Sequence, residues 1–187
     1  CAKACGAFTA SLHPLQTFAE PVVAVKTFAG TYCAYEGDRQ ILGIIKNIIE
    51  SIGGVPVRIN GSSKPLYHIA GVVFSNYLVT LINIGLKFLR ASGFDARYLN
   101  RAFLPLVEET IKNTSRIDPA AALTGPISRG DIGTIKSHLN IINRKMPTHL
   151  HFYKELGKHT IEIALKKKSI NQTQARQLMK LFGGHKL

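Results

Sequence analysis

A chain of 187 residues, 45% hydrophobic, has the length for one domain or one and a half and enough apolar surface to bury a core, which excludes an intrinsically disordered protein. Its formal charge is +13, unevenly placed: residues 1–64 hold six Lys/Arg against four Asp/Glu, and residues 65–187 hold eighteen against seven. That excess is spread along helical patterns, and its only run, Lys166-Lys167-Lys168, reads as a solvated helix end, so no clustered basic and aromatic face argues for nucleic acid.

Three Cys (Cys1, Cys5, Cys33) lack metal-ligand spacing and point to reduced thiols in a cytoplasmic protein. The first residue is Cys, and no basic, apolar, small-residue signal pattern opens the chain. The sequence therefore reads as a piece of something longer, its N-terminal part missing.

Residues 1–60 read as α/β. Phe8–Leu12 alternates as a short strand, Val22–Val25 is a second strand candidate, and Thr31–Tyr35 is a third. Ile41, Leu42, Ile44, Ile45, Ile48, Ile49 and Ile52 give a helical face closed by Gly53-Gly54. Val55–Ile59 is a last strand, with Pro56 marking its start or a sheet edge, and residues 60–63 are a hinge-like loop.

Leu66 to Leu89 carries no charge from Ile69 to Leu86 and predicts one long helix, with Pro65 in its first turn and Gly93 past its end. At about 100° per residue, His68, Asn76, Thr80, Asn83 and Lys87 share one third of its surface. A helix apolar on the remaining two thirds is expected to be buried, its stripe either paired internally or facing a cleft. Ser75, Asn76, Thr80 and Asn83 argue against a membrane span.

Helices follow without strands. Ala96–Asn113 presents Leu99, Phe103, Leu106, Val107 and Ile111 on one face, with Pro105 predicting a kink. Asp118 caps a short helix that starts at Pro119. Residues 124–131 form a Gly/Pro loop ending in Asp131, the cap of a helix to Asn143, and helices over 147–168 and 173–181 complete the chain. The domains so read are 1–64, an α/β part, and 65–187, a helical one.

No GxGxxG and no GxxxxGK[ST] occurs, so no cofactor phosphate loop lies in this chain. The seven His lack partners at ligand spacing, and no metal site is expected. No GxSxG supports a hydrolase. Three places can carry chemistry. His13, Pro14 and Gln16 follow a strand end, where α/β proteins bind ligands, although pattern alone favours a rigid turn with His13 bonding the backbone. The helix stripe holds His68, Ser75 and Asn76. The loop with Thr124 and Arg129 can offer backbone N–H groups and a guanidinium to an anion, or be an ordinary interhelical turn.

SLHPLQTF at 11–18, YEGD at 35–38, YHIAGVVFSNYLVTL at 67–81 and ALTGPISRGD at 122–131 together resemble one family over nearly the whole chain. It is the group of Rossmann-like oxidoreductases with a C-terminal domain of unknown function. That group is similar to the 6-phosphogluconate dehydrogenase-like superfamily, with prephenate dehydrogenase and pyrroline-5-carboxylate reductase as distant relatives.

The resemblance implies the remainder of a Rossmann domain followed by an all-α C-terminal domain that forms a homodimer. It implies NADP or NAD as cofactor and hydride transfer with a small oxo/hydroxy or imine/amine substrate. By position it assigns catalytic roles to Asn76, with Ser75 beside it, and substrate or cofactor contacts to His13 and Pro14. Gln16, Thr124 and Arg129 would meet the substrate. Several relatives carry Lys where Val72 stands here, so His68, one turn back, becomes the substitute for proton exchange. The alternative is a non-catalytic, nucleotide-sensing or dimerisation module.

Overall fold

A computed structural model describes residues 2–184, save the side chains of residues 2, 3 and 100, and Cys1 lies outside the described residues. Packing divides the chain into two compact units, Cys1–Gly85 and Leu86–Leu187. The division falls inside a helix, where composition divides the chain at residue 64.

The first unit is built on three strands, β1 (Ala10–Pro14), β2 (Tyr32–Gly37) and β3 (Val55–Arg58), in that order. β1 runs antiparallel to β2 with His13 opposite Ala34, and β2 runs parallel to β3 with Ala34 opposite Val57. β2 is central, and Cys33, Ala34 and Tyr35 are consecutive buried residues, the pattern of a strand covered on both faces. β3 pairs on one side only, as Pro56 leads one to expect.

Between Ala10 and β2 the outcome departs from the sequence reading. Val22–Val25 is not a strand; Pro21–Lys26 forms a short helix, α1, with Pro21 in its first turn. A four-residue apolar run carries too little periodicity to separate the two states, and the fixed φ of a leading proline favours the helix. Helix α2 (Leu42–Ser51) makes the crossover between the parallel strands. It buries Leu42 and Ile49 against Cys33 and Tyr35, while Ile44, Ile48 and Ile52 of the expected face stay exposed. Chain follows chain closely here: a Cβ on Gly54 would stand 2.9 Å from Ile49 Cγ2 and 3.1 Å from Cys33 Sγ.

The long helix runs as α3 (Lys64–Val72), a π turn (Val73–Tyr77) and α4 (Leu78–Ala91). By length and composition it could cross a membrane, with mean hydropathy 1.8 in its most apolar window. Its expected burial is overturned: no residue of that window is buried, and Leu66 and Phe74 are 71% and 75% exposed. The sheet and the turn after β1 meet one side of α3, where Tyr67, Ala70, Gly71 and Val72 are half-buried, and among the described residues of this unit nothing covers the other.

The described part of the second unit is helical: α5 (Leu99–Arg116), α6 (Pro119–Ala122), α7 (Ile132–Lys145), α8 (Leu150–Lys166) and α9 (Gln172–Leu181). Pro105 lies inside α5. Of the apolar face expected on α5, Leu99 is buried, but Leu106 and Ile111 are exposed. Three starts are capped by side chains: Asp118 accepts from Ala120 N, Asp131 from Thr134 N, and Asn171 forms a capping box with Gln174.

The core of this unit joins α7, α8 and α9 through Ile135, Ile161, Leu178 and Phe182. Gly157 of α8 is buried because the Phe182 ring occupies the place of a side chain; a Cβ there would lie 2.5 Å from Cζ. Gly157→Ala is therefore expected to lower stability by about 1–3 kcal/mol, the cost of overpacking, despite the better helix propensity of Ala. Urea unfolding followed by circular dichroism checks it; an unchanged or raised midpoint contradicts the packing argument.

Candidate functional site

β1 ends at Pro14, and the chain turns away through Leu15 to Phe18, held by Leu15 N donating to Tyr32 O at 2.8 Å. Gln16 braces this turn: its Oε1 accepts from Thr17 N at 2.9 Å and its Nε2 donates to Thr27 O at 3.4 Å. Helix α3 lies against the strand end. Tyr67 donates its hydroxyl to His13 O at 3.2 Å, its oxygen is 3.5 Å from His13 Nδ1, and the two rings meet edge to face at 5.4 Å. The His68 ring is tilted over His13 at 5.7 Å.

The π turn then brings Ser75 and Asn76 to the same place. His13, Pro14, Gln16, His68, Ser75 and Asn76 line one cavity of about 610 Å³, completed mainly by Leu15, Phe18, Val72 and Phe74. Six of the eight residues singled out from sequence thus converge within the first unit. Asn76 and His68 are exposed and Ser75 half-buried, and Thr80 Oγ1 donates to Asn76 O at 3.1 Å, occupying a carbonyl in the widened turn. Such a lining combines hydrogen-bonding groups that can orient a polar ligand with an apolar wall that can seat a ring or chain. Burial raises the pKa of the Tyr67 phenol, opposed by a bond from the Ala34 backbone. Burial likewise pushes the Cys33 thiol up, which makes it a packing residue and not a nucleophile. Among the described residues, no three His, Cys, Asp or Glu gather as a metal site.

Thr124 and Arg129 lie in the second unit, in the turn between α6 and α7. Here the backbone N–H groups are used internally: Arg129 N donates to Gly125 O and Pro126 O, Gly130 N to Ile127 O, and Asp131 N to Pro126 O. Gly130 sits at φ +65° against the Gln174 side chain. The N-terminus of α7 is closed by Asp131, which accepts from Thr134 N at 2.9 Å and Thr134 Oγ1 at 2.7 Å. The interhelical-turn reading of this loop therefore accounts for its backbone better than an anion cradle does. The exposed Arg129 guanidinium acts on Asp131, as one of the smaller contributions holding that carboxyl below its ordinary range.

Residues 31–160 match the family described as Domain of unknown function (DUF2520). The chain belongs to that family. No curated protein matches it. It is similar to the crystal structure of protein TM1727 from Thermotoga maritima, with 27% identity and a TM-score of 0.72 over 85% of this chain and 62% of that one. It is also similar to BF3122 from Bacteroides fragilis, named as a putative NADP oxidoreductase, with 21% identity and a TM-score of 0.69 over 83% of this chain and 57% of that one. The DUF2520 chain thus spans less than two thirds of either structure, and it shares their α/β fold.

The matched segment holds His68, Ser75, Asn76, Thr124 and Arg129, while His13, Pro14 and Gln16 precede it. Tyr67 is the residue that sequence reasoning passed over. It sits beside His68 in the same motif, but only the register of α3 against β1 reveals its contact with His13.

For Asp131 the depressed carboxyl pKa gives the sign of a pH effect. Its bonds to Thr134 O–H and N–H, the two largest causes, favour the charged form, so the stabilisation is present above the unfolded value of about 3.9 and is lost as pH falls through the folded pKa. Asp131→Ala is expected to lower the unfolding midpoint at neutral pH, with the gap from the parent closing below about pH 4. Thermal melts across pH check this; a gap independent of pH would assign the loss to packing instead.

Proposed function

We propose that this DUF2520 chain is the substrate-binding part of an NAD(P)-dependent oxidoreductase acting on a small oxo/hydroxy or imine/amine compound. The observation that carries the reading is the convergence of His13, His68 and Asn76 on one cavity at the end of β1. The fold's similarity to a protein named as an NADP oxidoreductase supports it. In this reading residues 1–64 are the remainder of a Rossmann-like domain and residues 65–187 a 6-phosphogluconate dehydrogenase-like helical domain.

The cavity fits the reacting end of a dinucleotide and not its phosphates: its wall joins apolar residues with two imidazoles, two carboxamides and two hydroxyls, and no Lys or Arg lines it. The main phosphate site belongs to sequence outside this chain. When bound, NADP or NAD supplies or takes the hydride. The chain's own residues do the rest. Asn76 hydrogen-bonds the reacting oxygen or nitrogen, with Ser75 beside it. His68 or His13 exchanges the proton, the role an imidazole fits at physiological pH. Pro14 and Gln16 shape the turn under the cofactor's reactive end.

A second copy of the chain is the proposed partner, since α5 leaves Leu104, Leu106 and Ile111 exposed on its surface. The compartment is cytoplasmic. Val72 lines the cavity where several relatives carry Lys, and this favours a second reading, a module that senses a dinucleotide without turning it over.

NADPH and NADH binding, measured on this chain and on a longer form carrying a dinucleotide-binding part, comes first. Turnover of a panel of oxo, hydroxy and imine compounds follows. Binding by the longer form with turnover supports the enzyme, and binding without turnover supports the sensor. No binding by either sinks both. In the active form Asn76→Ala is expected to lower kcat about 100-fold, the cost of removing one donor to a developing charge, while leaving NADPH affinity in place. Unchanged turnover would remove Asn76 from the reaction.

A further inference from the structure

We propose that Tyr67 is a positioning residue: it holds the His13 imidazole in the tautomer protonated on Nδ1, so that Nε2 is the hydrogen-bond acceptor of the cavity. The role assigned to that acceptor rests on the reading of the cavity as a substrate site, but the tautomer itself does not.

The geometry allows one assignment of protons. The Tyr67 oxygen lies 3.2 Å from His13 O and 3.5 Å from His13 Nδ1. A phenol has a single proton to give. If it went to Nδ1, the phenol and carbonyl oxygens would face each other at 3.2 Å with no hydroxyl proton between them, an unfavourable contact that the Ala34 backbone N–H relieves only in part. Given to the carbonyl, the same proton makes a bond, and the phenol oxygen is then an acceptor toward the ring. Nδ1 can meet an acceptor only as Nδ1–H. The contact is long, so it directs the proton more by avoiding a lone-pair clash than by its own strength.

His13 forms part of the cavity wall and Tyr67 does not. The nitrogen left to the cavity is therefore Nε2, the one across the ring from Tyr67. A histidine side chain free of partners prefers its proton on Nε2, so the arrangement reverses the intrinsic preference and turns a donor into a base. With a hydroxy substrate, Nε2 accepts the O–H proton: the O–H bond breaks, the Nε2–H bond forms, and the hydride leaves carbon for the dinucleotide. The reverse steps return the proton to an oxo substrate. Among the described residues no tyrosine hydroxyl bonds His68, whose ring stands 5.7 Å away.

The test is long-range ¹H–¹⁵N correlation on the chain labelled at histidine, recorded near pH 8.5, above the ordinary imidazole range. The expected result is a His13 ring protonated on Nδ1 and, in Tyr67→Phe, a return to a ring protonated mainly on Nε2. His68 serves as the internal control in the same spectrum, and unchanged backbone amide shifts away from the site show that the variant folds. A His13 protonated on Nε2 in the parent chain overturns the proposal, and so does a His13 pattern that Tyr67→Phe leaves alone. No cofactor enters this measurement, so a failed oxidoreductase reading leaves it standing and the reverse holds too. In a turnover-competent longer form, Tyr67→Phe is expected to reduce kcat about 10-fold with KM little changed, the range of a weakened acid–base group; loss confined to KM would make Tyr67 a binding residue instead.

Discussion

Two polar contacts pin the start of helix α3 onto strand β1, and the candidate site depends on that docking. Tyr67 reaches His13 O, and three residues earlier Lys64 Nζ bonds Ser11 Oγ at 2.7 Å and Glu36 at 3.1 Å. Lys64 and Tyr67 are one turn apart on one helix face, while Ser11 and His13 are two apart on one strand face, so the two periodicities match at this crossing. The Lys64–Glu36 pair is solvent-exposed and worth little as energy. Its value is in register: a helix shifted by one residue would take both contacts away together.

Once register is fixed, the π turn decides which side chains the cavity receives. On a regular helix His68 and Asn76 would stand roughly 80° apart, at 100° per residue. A wider turn advances less rotation per residue, and inserting it at Val73–Tyr77 swings Asn76 toward the side of His68. The regular α4 resumes beyond it. Such an irregularity weakens local hydrogen bonding, and its presence at the cavity is a reason to look for chemistry there.

The sequence exposed the local signals well. Asp118 and Asp131 start helices because a short polar side chain followed by free N–H groups is a local pattern. The strands β2 and β3 and the helix between them were readable from alternating and helical apolar spacing, but their parallel pairing was not. His13 and Asn76 line one cavity, and their grouping was suggested only by the motifs in combination, since each motif alone had a structural explanation at least as good. What failed depends on tertiary context. Val22–Val25 is too short for periodicity to decide, the π turn leaves no trace in a hydrophobic pattern, and the inward use of the N–H groups around Arg129 depends on how the turn closes.

The long helix shows why composition and burial can part. Leu66, Ile69, Val73, Phe74 and Val79 are apolar as in a covered helix, yet all five are exposed. Two environments can pay for such a surface, lipid or protein. In lipid, a helix keeps its polar groups few and satisfies each within the bundle, at a cost of several kcal/mol for one that fails. Here the N-terminal turns spend Lys64 and Tyr67 on side-chain and backbone atoms of a strand, and the middle opens a π turn beside Ser75 and Asn76. A span has no use for a sheet against its first two turns. The polar commitments therefore favour protein as the cover for the apolar face, and they make the exposed leucines and phenylalanine a surface complementary to another folded element, not to acyl chains.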